Sequence, residues 1–464
     1  MPAWTGDRIC PPKTTTPEEF YERLVALVYR FVPLISKHRA QDFSRHRKRP
    51  LPRLIVLLLS LVASGRDKSI DTKVSDFFPV ARRSALWPDA QSPPRSALTK
   101  ARAKVPWQAF ETLLGQAVTL AYEVFPPRQE YPWHGLSVFA CDGSKDDLPA
   151  TEAVRQAFDP ASGFEHPGRG HAPQCLVTTV YDVFRRLPVG RTVCPLQEGD
   201  ERQQAQQLLA LLPSNSVSLF DRGFPSYAFL SSLQQHAHLY LMRCPATSTL
   251  PAVTAFVRSG RAERRLWLTP SNTFTRHLTP AQRRTLKPLR LRAMRLEDPQ
   301  GNVSVLLTNL LDTRVFPLQD LVTLYWRRWA VENHYRDEKT LQHIEHFHSR
   351  PPNGIRQELF AILISCVIAR TLTALSVPSE AHETAQCLVH PQLKNALRSF
   401  AREAAFLAPV SPAQALRIFQ ELLQAIRQVK YYKPTKPRPS CPRVNKQPPN
   451  KWQADRQKKL HTIA

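Results

Sequence analysis

The spacing of apolar residues changes character along the chain. Residues 1–130 follow a helical period. "TPEEF" (16–20) offers Thr16 as an N-cap, Pro17 at the first helical position and Glu19 to close a capping box, and apolar Leu24, Val25, Leu27, Val28 and Phe31 follow. The run "LIVLLLSLVA" (54–63) predicts a buried helix, and "SALTKARAKVPWQAFETLLGQAVTLAYEVF" (96–125) a further helical stretch. From residue 136 the pattern shortens. "LSVFACD" (136–142), "QCLVTTVYDVF" (174–184), "GRTVCP" (190–195), "SVSLFD" (216–221) and "LYLMR" (239–243) are turn-bounded apolar runs and predict strands. "DERQQAQQLLALL" (200–212) and "PSYAFLSSLQQH" (225–236) predict helices between them. Three strands, helix, strand, helix, strand is the order of an α/β sheet with mixed pairing.

Residues 246–311 interrupt that alternation, because "RRLWL", "LRLRAMRL" and "NVSVLLTNL" predict strands of a separate, basic, mostly β segment. A charged helix over 325–339 comes next, then "ELFAILISCVIARTLTAL" (358–375), a strongly apolar helix expected to pack on the sheet. The chain therefore divides into a helical section (1–130), an α/β core in two parts (131–245 and 312–376) around a β-rich insertion (246–311), a helical section (377–430) and a tail (431–464). From Lys430 onward the tail holds ten lysines and arginines against one acid, Asp455, and is dense in proline. Its apolar surface is too small to offset chain entropy, so it is expected to be disordered when free.

Composition narrows the partners. The 464 residues, 42% hydrophobic and 22% charged, allow a large core and about two or three domains. Lysine plus arginine exceed aspartate plus glutamate by 64 − 38 = 26. Such an excess repels itself unless a polyanion is bound, and nucleic acid is the commonest one; an acidic membrane surface is the rival. No run of roughly 18 apolar residues and no signal peptide stands out, so a soluble cytoplasmic protein without a membrane partner is expected. The N-terminal section, with the basic run "SRHRKRPLPR" (44–53) and with Arg95, Lys100, Arg102 and Lys104, reads either as a DNA-binding module or as a bundle with a solvated basic rim. The eight cysteines are scattered without a CxxC pair, which predicts core thiols rather than disulfides or a zinc site.

Asp142 and Asp221 each end a buried apolar strand. Taken alone, a strand-terminal aspartate is often a turn former or a helix cap. Burial and mutual repulsion nevertheless oppose ionisation of such carboxylates unless a cation neutralises them, and strand ends of open α/β sheets are where ligands bind. With a glutamate from a nearby helix they form an oxygen-only set suited to Mg²⁺ or Mn²⁺. "YWRRWAVENHYRDEK" (325–339) supplies one: at 100° per residue Tyr325, Arg328, Glu332, Arg336 and Lys339 share a sector of roughly 80°. Glu332 then completes the metal set, and Arg328, Lys339 and Tyr325 can hold phosphates of a bound strand.

Tyr325, Arg328, Glu332 and Lys339, separated by two, three and six residues, match the Tyr-Arg-Glu-Lys signature of the insertion-sequence-four family of bacterial DDE transposases. "ACDGS" (140–144) resembles that family's first-aspartate strand and "LFDRGF" (219–224) its second, although "DGS" stands where a threonine often follows the glycine. The resemblance covers roughly 135–375 and implies an RNase H-like core with a β-rich insertion between the second aspartate and the glutamate. It implies Asp142, Asp221 and Glu332 as catalytic acids holding two divalent ions, with Tyr325, Arg328 and Lys339 on DNA near the cut; Arg336, in the same helical sector, is expected to bind DNA beside them. It further implies cleavage at element ends and strand transfer into target DNA, by cut-and-paste movement through hairpin ends. A homodimer or higher assembly on the terminal inverted repeats, nucleoid-associated in a bacterial cytoplasm, is expected. An RNase H-like nuclease without strand transfer, and a domesticated DNA-binding protein without catalysis, are the alternatives.

Weaker signals have bland readings beside the sharp ones. His343, His346 and His348 could hold a metal or be polar surface. Trp326 and Trp329 are expected to pack the helix on the sheet. Trp267, with Arg264, could stack on an unpaired base or fill a β core. Asp146 and Asp147 read as loop residues, and Tyr431 and Tyr432 as linker aromatics or base-stacking groups.

Overall fold

The computed structural model describes residues 16–31, 42–43, 51–63, 69–83, 87, 91–125, 132–162, 172–247, 250–276, 278–298, 300–376, 387–407 and 412–434. The basic stretch 44–50 and the tail beyond 434 lie outside the described residues, as do the side chains of Tyr431 and Tyr432. Five helices come first: α1 (Pro17–Ala26), α2 (Leu51–Ala63), α3 (Ile70–Arg83), α4 (Arg95–Arg102) and α5 (Gln108–Val124). The capping box forms as spelled, with the Thr16 hydroxyl accepting from the Glu19 N–H and the Glu19 carboxylate accepting from the Thr16 N–H. The stretch read as one helix over 96–125 divides at Val105-Pro106-Trp107, because proline cannot donate within a helix.

Strand β1 (Ser137–Asp147) is followed by α6 (Glu152–Phe158), β2 (Gln174–Asp182), β3 (Leu187–Pro195), α7 (Glu201–Leu209), β4 (Ser216–Phe220), α8 (Tyr227–Gln235) and β5 (Leu239–Pro245). Within the next segment lie α9 (Pro251–Arg258), β6 (Glu263–Leu268), α10 (Asn272–Thr275), α11 (Pro280–Thr285), β7 (Leu289–Glu297) and β8 (Val303–Thr308). The eight strands form one sheet in the order β3-β2-β1-β4-β5-β8-β7-β6. Antiparallel β3-β2-β1 joined to parallel β1-β4-β5 is the RNase H-like arrangement. The basic β segment does not stand apart: β8 pairs antiparallel with β5, and β7 and β6 extend the same sheet. All of β4 is buried, as a central strand covered on both faces requires.

Helices α12 (Leu318–Trp326) and α13 (Trp329–Asp337) replace the single charged helix expected over 325–339. The chain tightens at Arg327 and Arg328, whose N–H groups donate three residues back, to Leu324 and Tyr325. A π-turn, Glu338–Gln342, ends the segment. Helix α14 (Pro352–Leu375) corrects the expectation that no segment could match a bilayer, since it is long and apolar enough to cross one. Most of it is buried inside the fold against α2, α5 and β3, the pattern of a core helix. Helices α15 (Leu393–Glu403) and α16 (Pro412–Gln428) close the main body. A smaller unit contains a two-stranded sheet of β9 (Cys387–Pro391) and β10 (Lys430–Pro434).

One desolvated ion pair ties the π-turn that ends α13 to the sheet. Arg191 on β3 donates both Nη2 hydrogen bonds to Glu338, at 2.7 and 2.6 Å, and the two side chains are 0% and 1% exposed. Arg191 also donates to the Thr179 hydroxyl and to the Leu359 carbonyl of α14. Removing one partner from such a pair strands a buried charge. Glu338→Gln is expected to cost about 3 kcal/mol in urea denaturation. Adding Arg191→Met in the same chain should recover most of that loss; a double variant as unstable as the sum of the singles would contradict the assignment.

Candidate active site

Sheet register brings the two aspartates together. Parallel pairing of β1 with β4 runs to Ala140↔Leu219, whereas the antiparallel ladder of β1 with β2 continues to Asp147↔Gln174. Extending the parallel register by two residues sets Asp142 beside Asp221, where the carboxyl ends of the parallel strands part. Asp142 Oδ1 accepts from the Gly143 N–H at 3.0 Å, and Asp221 Oδ1 from the Gly223 N–H at 2.6 Å.

Glu332 arrives from α13, whose inner face buries Val331, His334 and Tyr335. The Tyr335 hydroxyl donates to the Asp142 carbonyl at 2.7 Å, fixing that helix to the strand that carries the first acid. Arg328, at the bend between α12 and α13, then bridges the carboxylates. Its Nη2 is 2.5 Å from Glu332 Oε1 and its Nη1 is 3.7 Å from Asp142 Oδ2. The Arg328 side chain is only 7% exposed, yet its Nε and Nη1 have no hydrogen-bond partner. Burial pushes the Asp142 carboxyl up from 3.8 to about 7, against the pull of Arg328 and the Gly143 N–H, with Asp221 and Glu332 adding repulsion.

The donor set is all oxygen, half-buried and short of positive charge, which fits a hard divalent ion. Among the described residues no three acids, histidines or cysteines are yet gathered closely enough to grip one. A guanidinium, not a convergence of acids, neutralises Asp142 and Glu332 here.

The remaining signature residues are spread around this centre. Tyr325 is buried, with the Arg328 guanidinium 6.0 Å from its ring centroid, and burial pushes its hydroxyl up to about 12. Lys339 Nζ donates to the Lys145 carbonyl at 2.8 Å and lies 3.2 Å from both Asp146 Oδ1 and Glu345 Oε1. Arg336 is exposed, and its charge bears on Asp337.

Several bland readings need correction. Asp146 and Asp147 belong to β1, not to a loop, and Asp146 is buried against Lys339. Trp326 and Trp329 are 58% and 41% exposed instead of packing on the sheet, because Leu321, Leu324, Tyr325 and Val331 occupy the inner face. Trp267 points outward from β6 between buried Leu266 and Leu268, so it is not core. His343, His346 and His348 line a cleft of about 690 Å³ with Lys73, Arg95 and Arg350, and belong to no metal-holding group among the described residues. Tyr335, Arg191 and Glu338 were missed in the sequence, since a buried polar anchor on a charged helix looks like surface. Glu201 was missed because an acid at a helix start reads as a dipole partner.

A family model described as "Transposase DDE domain" matches residues 133–368. The chain is 22% identical over 288 residues to "Transposase InsG for insertion sequence element IS4" of Escherichia coli (strain K12), covering 59% of this chain and 60% of that one. It thus spans less than two thirds of that curated relative. Among solved structures, "Cryo-EM structure of piggyBac transposase synaptic complex with hairpin DNA (SNHP)" is similar at a TM-score of 0.45 and 11% identity, covering 90% of this chain and 86% of that one, a likeness too loose to argue from.

The raised Asp142 carboxyl sets a pH dependence. Its stabilising contribution is full below the unfolded value of 3.8 and is lost as pH rises towards about 7, where the folded state must ionise it. Without divalent ions, the melting temperature of the wild type is therefore expected to rise on acidification from pH 8 to pH 6, relative to Asp142→Asn. Parallel curves for the two proteins would contradict that shift.

Proposed function

The chain belongs to the transposase DDE-domain family, and from that membership we propose that it is the DNA transposase of an insertion sequence. It cleaves double-stranded DNA at the element's terminal inverted repeats and joins those ends to target DNA, by cut-and-paste, as a homodimer on the paired ends in the bacterial cytoplasm. The observation that supports this reading most is the Arg328 guanidinium shared by Glu332 and Asp142, two acids distant in sequence, with the charge of Asp221 bearing on Asp142.

Asp142, Asp221 and Glu332 would hold Mg²⁺ or Mn²⁺, two ions in the full site. Such an ion supplies charge to the scissile phosphate and lowers the pKa of a water or a DNA 3′-hydroxyl for in-line attack. The chain supplies the rest. Tyr335 and the Arg191–Glu338 pair hold the glutamate helix against β1 and β3. Arg328, whose Nε and Nη1 lack hydrogen-bond partners, would offer those donors to a phosphate once its carboxylates are neutralised otherwise. Lys339 and Arg336 would meet the bound strand further out, and Tyr325, buried beside the Arg328 guanidinium, would back that arginine. Hydrolysis and strand joining are both displacements at phosphorus, so one site serves both.

Full-length protein incubated with a terminal-repeat duplex, Mg²⁺ and a target plasmid tests this. Joined products are expected. Nicks alone would indicate a nuclease without strand transfer, and a gel shift alone a DNA-binding protein without catalysis. Asp221→Ala and Glu332→Gln are expected to keep the shift and to lower product formation more than about a hundredfold, the upper loss seen when only the surroundings of a metal ligand are disturbed. Undiminished cutting by Asp221→Ala would overturn the site assignment.

A further inference from the structure

Glu201 opens α7 directly after Asp200, whose carboxylate caps the helix by accepting from the Arg202 N–H at 2.9 Å. Arg202 donates to the carbonyls of Phe224 at 3.1 Å and Gly223 at 2.8 Å, clamping the start of α7 to the turn that follows Asp221. The Glu201 side chain lies over the first acid's strand instead. Its Oε1 stands 2.6 Å from the point a Cβ on Gly143 would occupy, and its Cδ 2.7 Å. Only a residue without a side chain, next to Asp142, admits a carboxylate there.

A glutamate in the first turn of a helix is ordinarily accounted for by the helix dipole. That does not explain why this one turns onto Gly143, into the field of Asp221, when the cap is already filled. Among the described residues no hydrogen bond or ion pair closes on its carboxylate, and the guanidinium of Arg202 is spent on carbonyls. A cleft of about 390 Å³ lined by Lys145, Gly199, Glu201, Arg202 and Gly223 opens beside it. Separately, the nine-tenths-buried Arg328 has no hydrogen-bond partner at Nε or Nη1 and sets Nη1 3.7 Å from Asp142, which marks the aspartate's side of the centre as built for a charged ligand.

We propose that Glu201 is a fourth carboxylate of the catalytic centre, facing the divalent cation that Asp142 and Asp221 hold. The proposal rests on the transposase reading above. A fourth acidic oxygen donor raises affinity for a hard divalent ion through charge and ligand number.

Mn²⁺ binding by the full chain, followed by calorimetry and by the paramagnetic resonance of free Mn²⁺, separates the two readings without recourse to activity. The wild type is expected to bind and Asp142→Asn to lose binding. Glu201→Gln, of nearly the same shape, is expected to bind at least about tenfold more weakly at an unchanged metal-free melting temperature. Equal Mn²⁺ affinity in Glu201→Gln and wild type would overturn the role of Glu201 and leave the three-acid reading standing. A wild type that binds no Mn²⁺, alone or on duplex DNA, would overturn both. Should Glu201→Gln fail to fold, Fe²⁺ with ascorbate and peroxide on the wild type decides: backbone cuts near 142, 221 and 201 support the assignment, and cuts at the first two alone overturn it.

Discussion

An aspartate made to sit almost out of water beside two other acids is the constraint on which the rest of this molecule turns. Burial holds the Asp142 carboxyl up near 7 even though the fold supplies one guanidinium, shared with Glu332. The strand that carries it has to stop pairing on one side while continuing on the other. Parallel pairing with β4 therefore ends at Ala140, whereas β2 accompanies β1 to Asp147. On the proposed reading, the opening left between β1 and β4 is where a DNA phosphate would be met.

Around that opening the support is rigid. Glu338 is buried against Arg191, Tyr335 reaches the carbonyl of Asp142 itself, and Lys339 is held by the buried Asp146 at the far end of β1. Each contact joins the glutamate helix to a different point of the sheet, so α13 cannot slide without breaking a desolvated polar group. The acids at the centre, by contrast, are held by few contacts. Two Arg328 nitrogens have no hydrogen-bond partner, and Glu332 remains about a third exposed. A stiff frame around a loosely satisfied centre is what a site awaiting a charged ligand requires.

Much of this was legible in the sequence. Strand-forming runs ending in Asp142 and Asp221 gave the core order, because parallel strands buried on both faces have to be continuously apolar. The four-residue spacing of Arg328 and Glu332 predicts one shared face, and those two side chains do pair. What escaped depends on contacts distant in the chain. The pairing of β8 with β5, which merges the basic β segment into the core sheet, joins residues whose local pattern looks like any edge strand. The tightening at Arg327–Arg328 splits a helix that periodicity draws as continuous. Trp326 and Trp329 look like core by composition and are exposed by geometry. Glu201 carries no signal until Gly143 is placed beneath it.

The most direct test of the central claim, that these acids are gathered by divalent cation and that Arg328 only holds their place, is an anomalous-scattering map of crystals grown with Mn²⁺ and DNA. The expected result is manganese density bounded by the carboxylates of Asp142, Asp221 and Glu332, with the Arg328 guanidinium turned to a phosphate. Manganese located elsewhere, with Arg328 still bridging Asp142 and Glu332, would contradict it.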